Sequence, residues 1–170
     1  MNRFKRLSFQ TILPELASKY SSNPALSFVD EQPVHYEEMF SIIKSLNAYF
    51  ENLDLRSNDK VMILGQNMPN WAISFLAIQY AGLIAVPALP DFNEEELKNI
   101  LEHSESTAII VSENLEYKLK DIDYSKFKAV IKMNDFGLIH GPDNIVWNTK
   151  SQKEVSHIKD ENEMSVLLYT

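Results

Sequence analysis

Three short apolar runs, Val61–Leu64, Ile84–Ala88 and Thr107–Val111, recur along this chain, and a helix-like segment separates each from the next. None of the runs alternates apolar with polar residues; each reads as a short strand, and Thr107–Val111 as one of the parallel type covered on both faces. Helical segments between such strands supply the crossovers that parallel pairing requires. With an earlier strand and helix, the order is strand, helix, strand, helix, strand, helix, strand. The expectation is an α/β fold with a mainly parallel sheet and helices on both faces.

Local signals fill in this frame. Ala25–Val29 and Pro33–His35 flank Asp30-Glu31-Gln32 and read as a small hairpin. Tyr36, Met39, Phe40, Ile43, Leu46, Phe50 and Leu53 form one apolar helical face. His35 would cap that helix, with Glu38 three residues on, a weaker arrangement than Ser or Thr would give. Asn58-Asp59 marks a turn before Val61. Asn67 is expected to cap the next helix, with Pro69 in its first turn and Gly82 as its stop. Trp71, Phe75, Leu76, Ile78 and Tyr80 lie on several faces of that helix, which predicts deep burial, Trp71 and Phe75 included. After the Pro90-Asp91-Phe92 loop, Asn93 is expected to cap a third helix, with Glu94, Glu95 and Glu96 in its first turn. Beyond Glu113 the pattern weakens to a short helix at Leu115–Lys120 and strands at Ala129–Ile131 and Ile145–Trp147. A final strand is expected at Met164–Tyr169, in the same sheet, with Thr170 emerging at its carboxyl end.

Composition narrows the function classes. The sum of 16 Lys+Arg and 24 Asp+Glu is −8, which argues against a nucleic-acid backbone as partner. With no Cys, disulfides, thiolate metal sites and a cysteine nucleophile are excluded, and a reducing cytoplasm is the expected location. The four glycines, Gly65, Gly82, Gly137 and Gly141, cannot be arranged into a glycine-rich phosphate loop. Trp71 to Leu89 carries no charged residue, which raises a membrane span as an alternative. Gln79, Gly82 and Val86-Pro87 divide that run better into a buried helix and a short strand. Near the N-terminus, Phe9, Ile12, Leu13, Leu16 and Tyr20 keep helical spacing, with Pro14 in or interrupting the first turns. A surface helix packed on the core is expected there, with a weakly membrane-seeking helix and peripheral membrane contact as the alternative.

No catalytic constellation is complete. His35, His103, His140 and His157 lack the spacing of a metal motif. Glu94-Glu95-Glu96 point in different directions and suit the helix dipole better than a metal. Asp121 and Asp123 are a loop pair without the rest of a calcium pattern. Lys118, Lys120, Lys126, Lys128 and Lys132 read as a solvated face. No residue is therefore predicted as catalytic or metal-binding. The ending is more informative: Val166-Leu167-Leu168-Tyr169 running into Thr170 is how a phosphate loop begins after a core strand.

Eight segments in order resemble one family. Gly65-Gln66-Asn67-Met68-Pro69-Asn70-Trp71-Ala72 is similar to the N-x-P-x-W start of the buried helix in AMP-forming acyl-CoA synthetases, the adenylate-forming enzymes. Ala81-Gly82-Leu83-Ile84-Ala85-Val86-Pro87 resembles the A-G-x-x-x-V-P strand that follows it. Glu96-Leu97 with Ile100-Leu101-Glu102-His103-Ser104 resembles the next helix, and Ile109-Ile110-Val111 the strand after it. Upstream, Pro24-Ala25-Leu26, Tyr36-Glu37-Glu38-Met39 and Asn58-Asp59-Lys60-Val61 resemble the family's P-A-L, T-Y-x-E-L and G-D-R-V elements. Glu163–Thr170 resembles the strand leading into the signature Y-T-S-G-T-T-G-x-P-K. Asn58 in place of the turn glycine still tolerates positive φ, whereas His35 in place of Thr weakens a cap.

The resemblance implies part of the large N-terminal domain of an acid–CoA ligase, leaning to the long-chain fatty-acid branch by its Leu89-Pro90-Asp91-Phe92 loop. It implies ATP, Mg2+ and coenzyme A as the parent enzyme's cosubstrates and cofactor, and a carboxylic acid as its other small-molecule partner. It implies a nucleotide-binding role for Thr170 and an N-terminal fragment that is inactive alone. The expected division is an N-terminal helix region (1–22), an α/β core (23–112), a variable segment (113–160) and a strand into the phosphate loop (161–170). A free-standing flavodoxin-like signalling or binding module is the rival reading, as is an adenylating enzyme for a different acid.

Overall fold

A computed structural model describes residues 8–145, 147–148, 155, 160 and 162–169. Its elements in order are α1 (Phe9–Lys19), β1 (Pro24–Leu26), β2 (Val34–His35), α2 (Tyr36–Asn52), β3 (Lys60–Leu64), α3 (Pro69–Tyr80), β4 (Ile84–Ala88), α4 (Glu94–Ser104), β5 (Ala108–Val111), β6 (Ala129–Lys132) and β7 (Leu138–His140). β1 and β2 form the expected antiparallel hairpin. The main sheet has five strands in the order β4-β3-β5-β6-β7. All its pairings are parallel except β6 with β7.

The sheet is buried on both faces, as its uninterrupted apolar runs require. Val61, Ile63, Ala85, Ala108, Ile110, Ala129 and Ile131 point to one side, where they pack with α1, α2 and α3. Met62, Leu64, Val86, Ala88, Ile109, Val111 and Val130 point to the other, against α4, Leu115 and Leu119. The two sets alternate along each strand, the period-two geometry of a pleated sheet.

Several helix ends follow local chemistry. Asn93 accepts from the Glu96 N–H at 3.0 Å, and the Glu96 carboxylate returns a bond to the Asn93 N–H at 2.7 Å. At the end of α3, Gly82 takes φ +75°. Its N–H donates to the Gln79 carbonyl, and the Leu83 N–H donates to that of Ile78, a Schellman closure. Asn58 also takes positive φ, 70°, as its amide side chain allows. The Asn58 N–H donates to the Gly82 carbonyl, so the two turns brace each other. Pro14 sits inside α1 without interrupting it, because Leu13 and Ala17 are buried and hold the helix by packing.

Other expectations are corrected. Met68, not Asn67, is the N-cap of α3, and Pro69 takes the first helical position. The residue before a proline is kept out of helical geometry, so Pro69 fixes the boundary one residue later. Trp71 and Phe75 are half-buried rather than enclosed. They stack on each other with ring centroids 5.7 Å apart, and Phe9 meets Phe75 edge-on. The buried face of α3 is instead Ile73, Ala77, Ile78 and Tyr80. His35 precedes α2 without a side-chain capping bond. The segment at Glu113–Leu119 is a 3-10 helix.

Ile145 and Trp147 are not in a strand, and Val146 lies outside the described residues. The Ile145 N–H closes a turn onto Pro142, while Trp147 packs edge-on against Tyr49 and Phe136. The strand that pairs with β6 is β7, reached through a turn with Phe136 at φ 59°.

The Met164–Tyr169 strand is reduced to one parallel bridge, Val166 with Ala85 of β4. The Ile84 N–H points inward to the Asp59 carbonyl, so the backbone groups of Ala85 and Pro87 face outward. Ala85 bonds Ser165 and Leu167 there, at 3.0 and 2.9 Å. The next outward donor would be residue 87, and proline has no N–H. The ladder therefore stops after one step.

Candidate functional site

β3 and β5 are neighbours, and the chain passes from β3 to β4 on one side and from β5 to β6 on the other. Such a switch point is where open α/β sheets place ligands. Three loops meet there, after β3, β5 and β6. Asn70 at the start of α3 donates to the carbonyls of Met133 and Asn134, both at 2.9 Å. The Asn134 side chain in turn accepts the Glu113 N–H at 2.8 Å. Gly65 closes the floor: a Cβ there would stand 2.6–2.7 Å from the Met133 side-chain end. Ser112, just after β5, buries its hydroxyl without a hydrogen-bond partner. Beneath this end, the Tyr49 hydroxyl is also buried without a partner. Burial, and secondarily the Asp135 charge, pushes the Tyr49 phenol up to about 12.

This arrangement braces the three loops against one another. Among the described residues, no three His, Cys, Asp or Glu gather where they could hold a metal ion. Glu96 is committed to its cap, and Glu94 pairs with Lys120 at 2.9 Å. Asp123 accepts from the Ser125 hydroxyl and N–H, which lowers its carboxyl below the ordinary range. The lysine cluster is dispersed over local partners. Lys118 donates to the carbonyls of Pro90 and Phe92, Lys128 pairs with Asp59, and Lys132 pairs with Asp135. No helix among the described residues is long and apolar enough to cross a membrane.

Thr170, the predicted nucleotide-binding residue, lies outside the described residues, as does His157. The residues just before Thr170 are placed by contacts that the sequence reading did not identify. Gln79, buried on α3, donates its side-chain amide to the Ser165 carbonyl at 2.8 Å. Tyr169 shares a 2.8 Å hydrogen bond with His103 Nδ1 on α4, and the two rings meet edge-on. The one available signal was Gln79 itself, a polar side chain within the uncharged Trp71–Leu89 run.

Comparison with known proteins agrees with this architecture. The AMP-binding enzyme family matches residues 13–170. The chain is 26% identical over 163 residues to 4-coumarate–CoA ligase 1 of Arabidopsis thaliana, covering 94% of this chain and 29% of that protein. It is 25% identical over 154 residues to the long-chain-fatty-acid–CoA ligase of Bacillus subtilis, covering 89% and 27%. The chain thus spans less than a third of the length of either relative. Among solved structures, a coronafacic acid ligase from Pectobacterium brasiliense superposes with TM-score 0.80 at 18% identity, over 96% of this chain and 33% of that one. The N-terminal subdomain of Klebsiella oxytoca NpsA, in complex with 3-hydroxyanthranilyl-AMSN, superposes with TM-score 0.73 at 18% identity, over 96% and 37%. Those two likenesses confirm the fold. The match that runs from α1 through the bridge on β4 settles the lineage: the chain belongs to the AMP-binding enzyme family.

Proposed function

We propose that this chain forms the opening part of the N-terminal domain of an ATP-dependent acid–CoA ligase. The observation that carries the proposal is the family match across residues 13–170, joined to the docking of residues 165–167 on β4. In the proposed reaction a carboxylate oxygen attacks the α-phosphorus of ATP and pyrophosphate leaves. The coenzyme A thiol, giving up its proton to solvent, then attacks the acyl carbonyl of the adenylate, and AMP leaves with the bonding pair. The described residues offer neither a glycine-rich phosphate cradle nor a cluster of metal ligands. They do not fit Mg2+ or the ATP phosphates, which other parts of the ligase would hold. What these residues contribute is the sheet against which the nucleotide loop is set.

The finer reading is a long-chain fatty acid as substrate. The Leu89-Pro90-Asp91-Phe92 loop and the likeness to the Bacillus subtilis ligase support it. An aryl acid is the second reading, favoured by the likeness to the Arabidopsis thaliana 4-coumarate ligase. The test is ATP–pyrophosphate exchange by the longer protein carrying this segment, with palmitate and 4-coumarate as alternative acids. Exchange stimulated by palmitate supports the first reading, and by 4-coumarate alone the second. No stimulation by any carboxylic acid overturns the ligase proposal. Residues 1–170 alone are expected to show no exchange above background.

A further inference from the structure

The contacts on residues 165–169 come from both layers of the fold. Gln79 belongs to α3 on one face of the sheet, and His103 belongs to α4 on the other. Between them the chain crosses the β4 edge. The Ser165 carbonyl accepts twice, from the Ala85 N–H and from the Gln79 amide. The Leu167 N–H donates to the Ala85 carbonyl, and Tyr169 ends the segment on His103. Leu167 and Tyr169 also pack on the α4-side core. The backbone ladder alone cannot hold this segment, because Pro87 removes its next donor. Side chains supply the missing restraint.

We infer that Gln79 and the His103–Tyr169 pair are positioning residues that fix the register of the segment leading into the nucleotide loop. A buried side-chain amide is costly unless it is bonded. Gln79 is 5% exposed, and its donor goes to Ser165, 86 residues away in sequence. A one-residue slip of the segment would take the Ser165 carbonyl away from both donors and turn its side chains to the opposite face. Tyr169 would then lose His103. The two anchors thus specify one register for residues 165–169. This inference rests on the ligase reading proposed above.

The test uses Gln79→Met, which keeps length and removes the donor, and Tyr169→Phe, which removes only a hydroxyl at the segment's end. In the longer ligase, each is expected to raise the KM for ATP in ATP–pyrophosphate exchange by about tenfold, the size of one lost hydrogen bond to a fixed partner. The KM for the carboxylic acid should stay within about twofold, the scatter expected where no contact is lost. In residues 1–170, amide exchange of Leu167 should accelerate while Ile109 and Ile110 stay protected, which separates release of the segment from unfolding. An unchanged ATP KM in both variants overturns the inference, whether or not Leu167 exchanges faster. Equal rises in the KM for ATP and for acid also overturn it, since that is the signature of general loosening. A wild-type ligase without carboxylate-dependent exchange fails the functional reading itself, and the inference with it.

Discussion

Gly82→Ala isolates one backbone angle. Gly82 holds φ +75°, a region where an L side chain costs about 1–2 kcal/mol against the following carbonyl. Space is not the obstacle: an added Cβ would meet the Gln10 amide at 3.4 Å and the Ser57 hydroxyl at 3.5 Å, ordinary contacts. The substitution also restricts the unfolded chain, which offsets about 0.4–1 kcal/mol. The net expectation is a loss of about 1 kcal/mol, or about 2–4 °C in Tm for a chain of this size. Gly82→Asn should lose less, since Asn tolerates the left-handed region. Urea unfolding followed by Trp fluorescence reads both variants, and an unchanged m value confirms that the same transition is compared. If Gly82→Ala unfolds at higher urea than the wild type, the Schellman closure does not constrain this turn. If it loses more than about 3 kcal/mol, the cost is steric and the conformational account is wrong.

Phe50, 1% exposed, and Trp71, half-buried, give a second comparison. Phe50→Ala is expected to cost about 3–5 kcal/mol by leaving a cavity, and Trp71→Ala less than that despite the larger ring. Equal losses in urea would show that α3 is enclosed. Tyr49 supplies a pH prediction. Its phenol ordinarily ionises near 10 and is pushed up to about 12 by burial. The folded state therefore holds that proton while the unfolded state releases it. Stability from this group is complete below pH 10 and is lost as pH rises from 10 towards 12. Burial also raises the Tyr124 phenol, so ultraviolet titration of Tyr49→Phe should show one fewer late-ionising tyrosine than the wild type; an identical titration of that variant would refute the burial argument.

The legible parts of this fold were those in which one residue type answers one local demand. Unbroken apolar runs signalled the strands β3, β4 and β5, and for β5 also burial on both faces; both faces are covered. Asn93 with Glu96, Gly82 and Asn58 each declared a cap or turn through their own chemistry. Failures arose where a neighbour decided. Pro69 moved the α3 boundary past Asn67. β7 is too short to carry a period, and its pairing depends on a turn through Phe136. The single bridge at Val166 depends on which way the Pro87 backbone faces, a property of register rather than composition. The candidate site was legible as a family pattern and not as geometry, because Gln79 and Ser165 meet only after the sheet has formed.

Pro87 also bears on how copies of this chain meet one another. An open strand edge is a template on which another molecule can add its own strand, and such growth leads to aggregation. On β4, a docking strand would find the Ala85 donor and acceptor, then no donor at residue 87. Residues 165–167 already occupy the one competent position. At the opposite edge, β7 spans only Leu138–His140, too short for extended pairing. A chain with its residues 165–169 detached therefore still offers a partner no continuous ladder along β4.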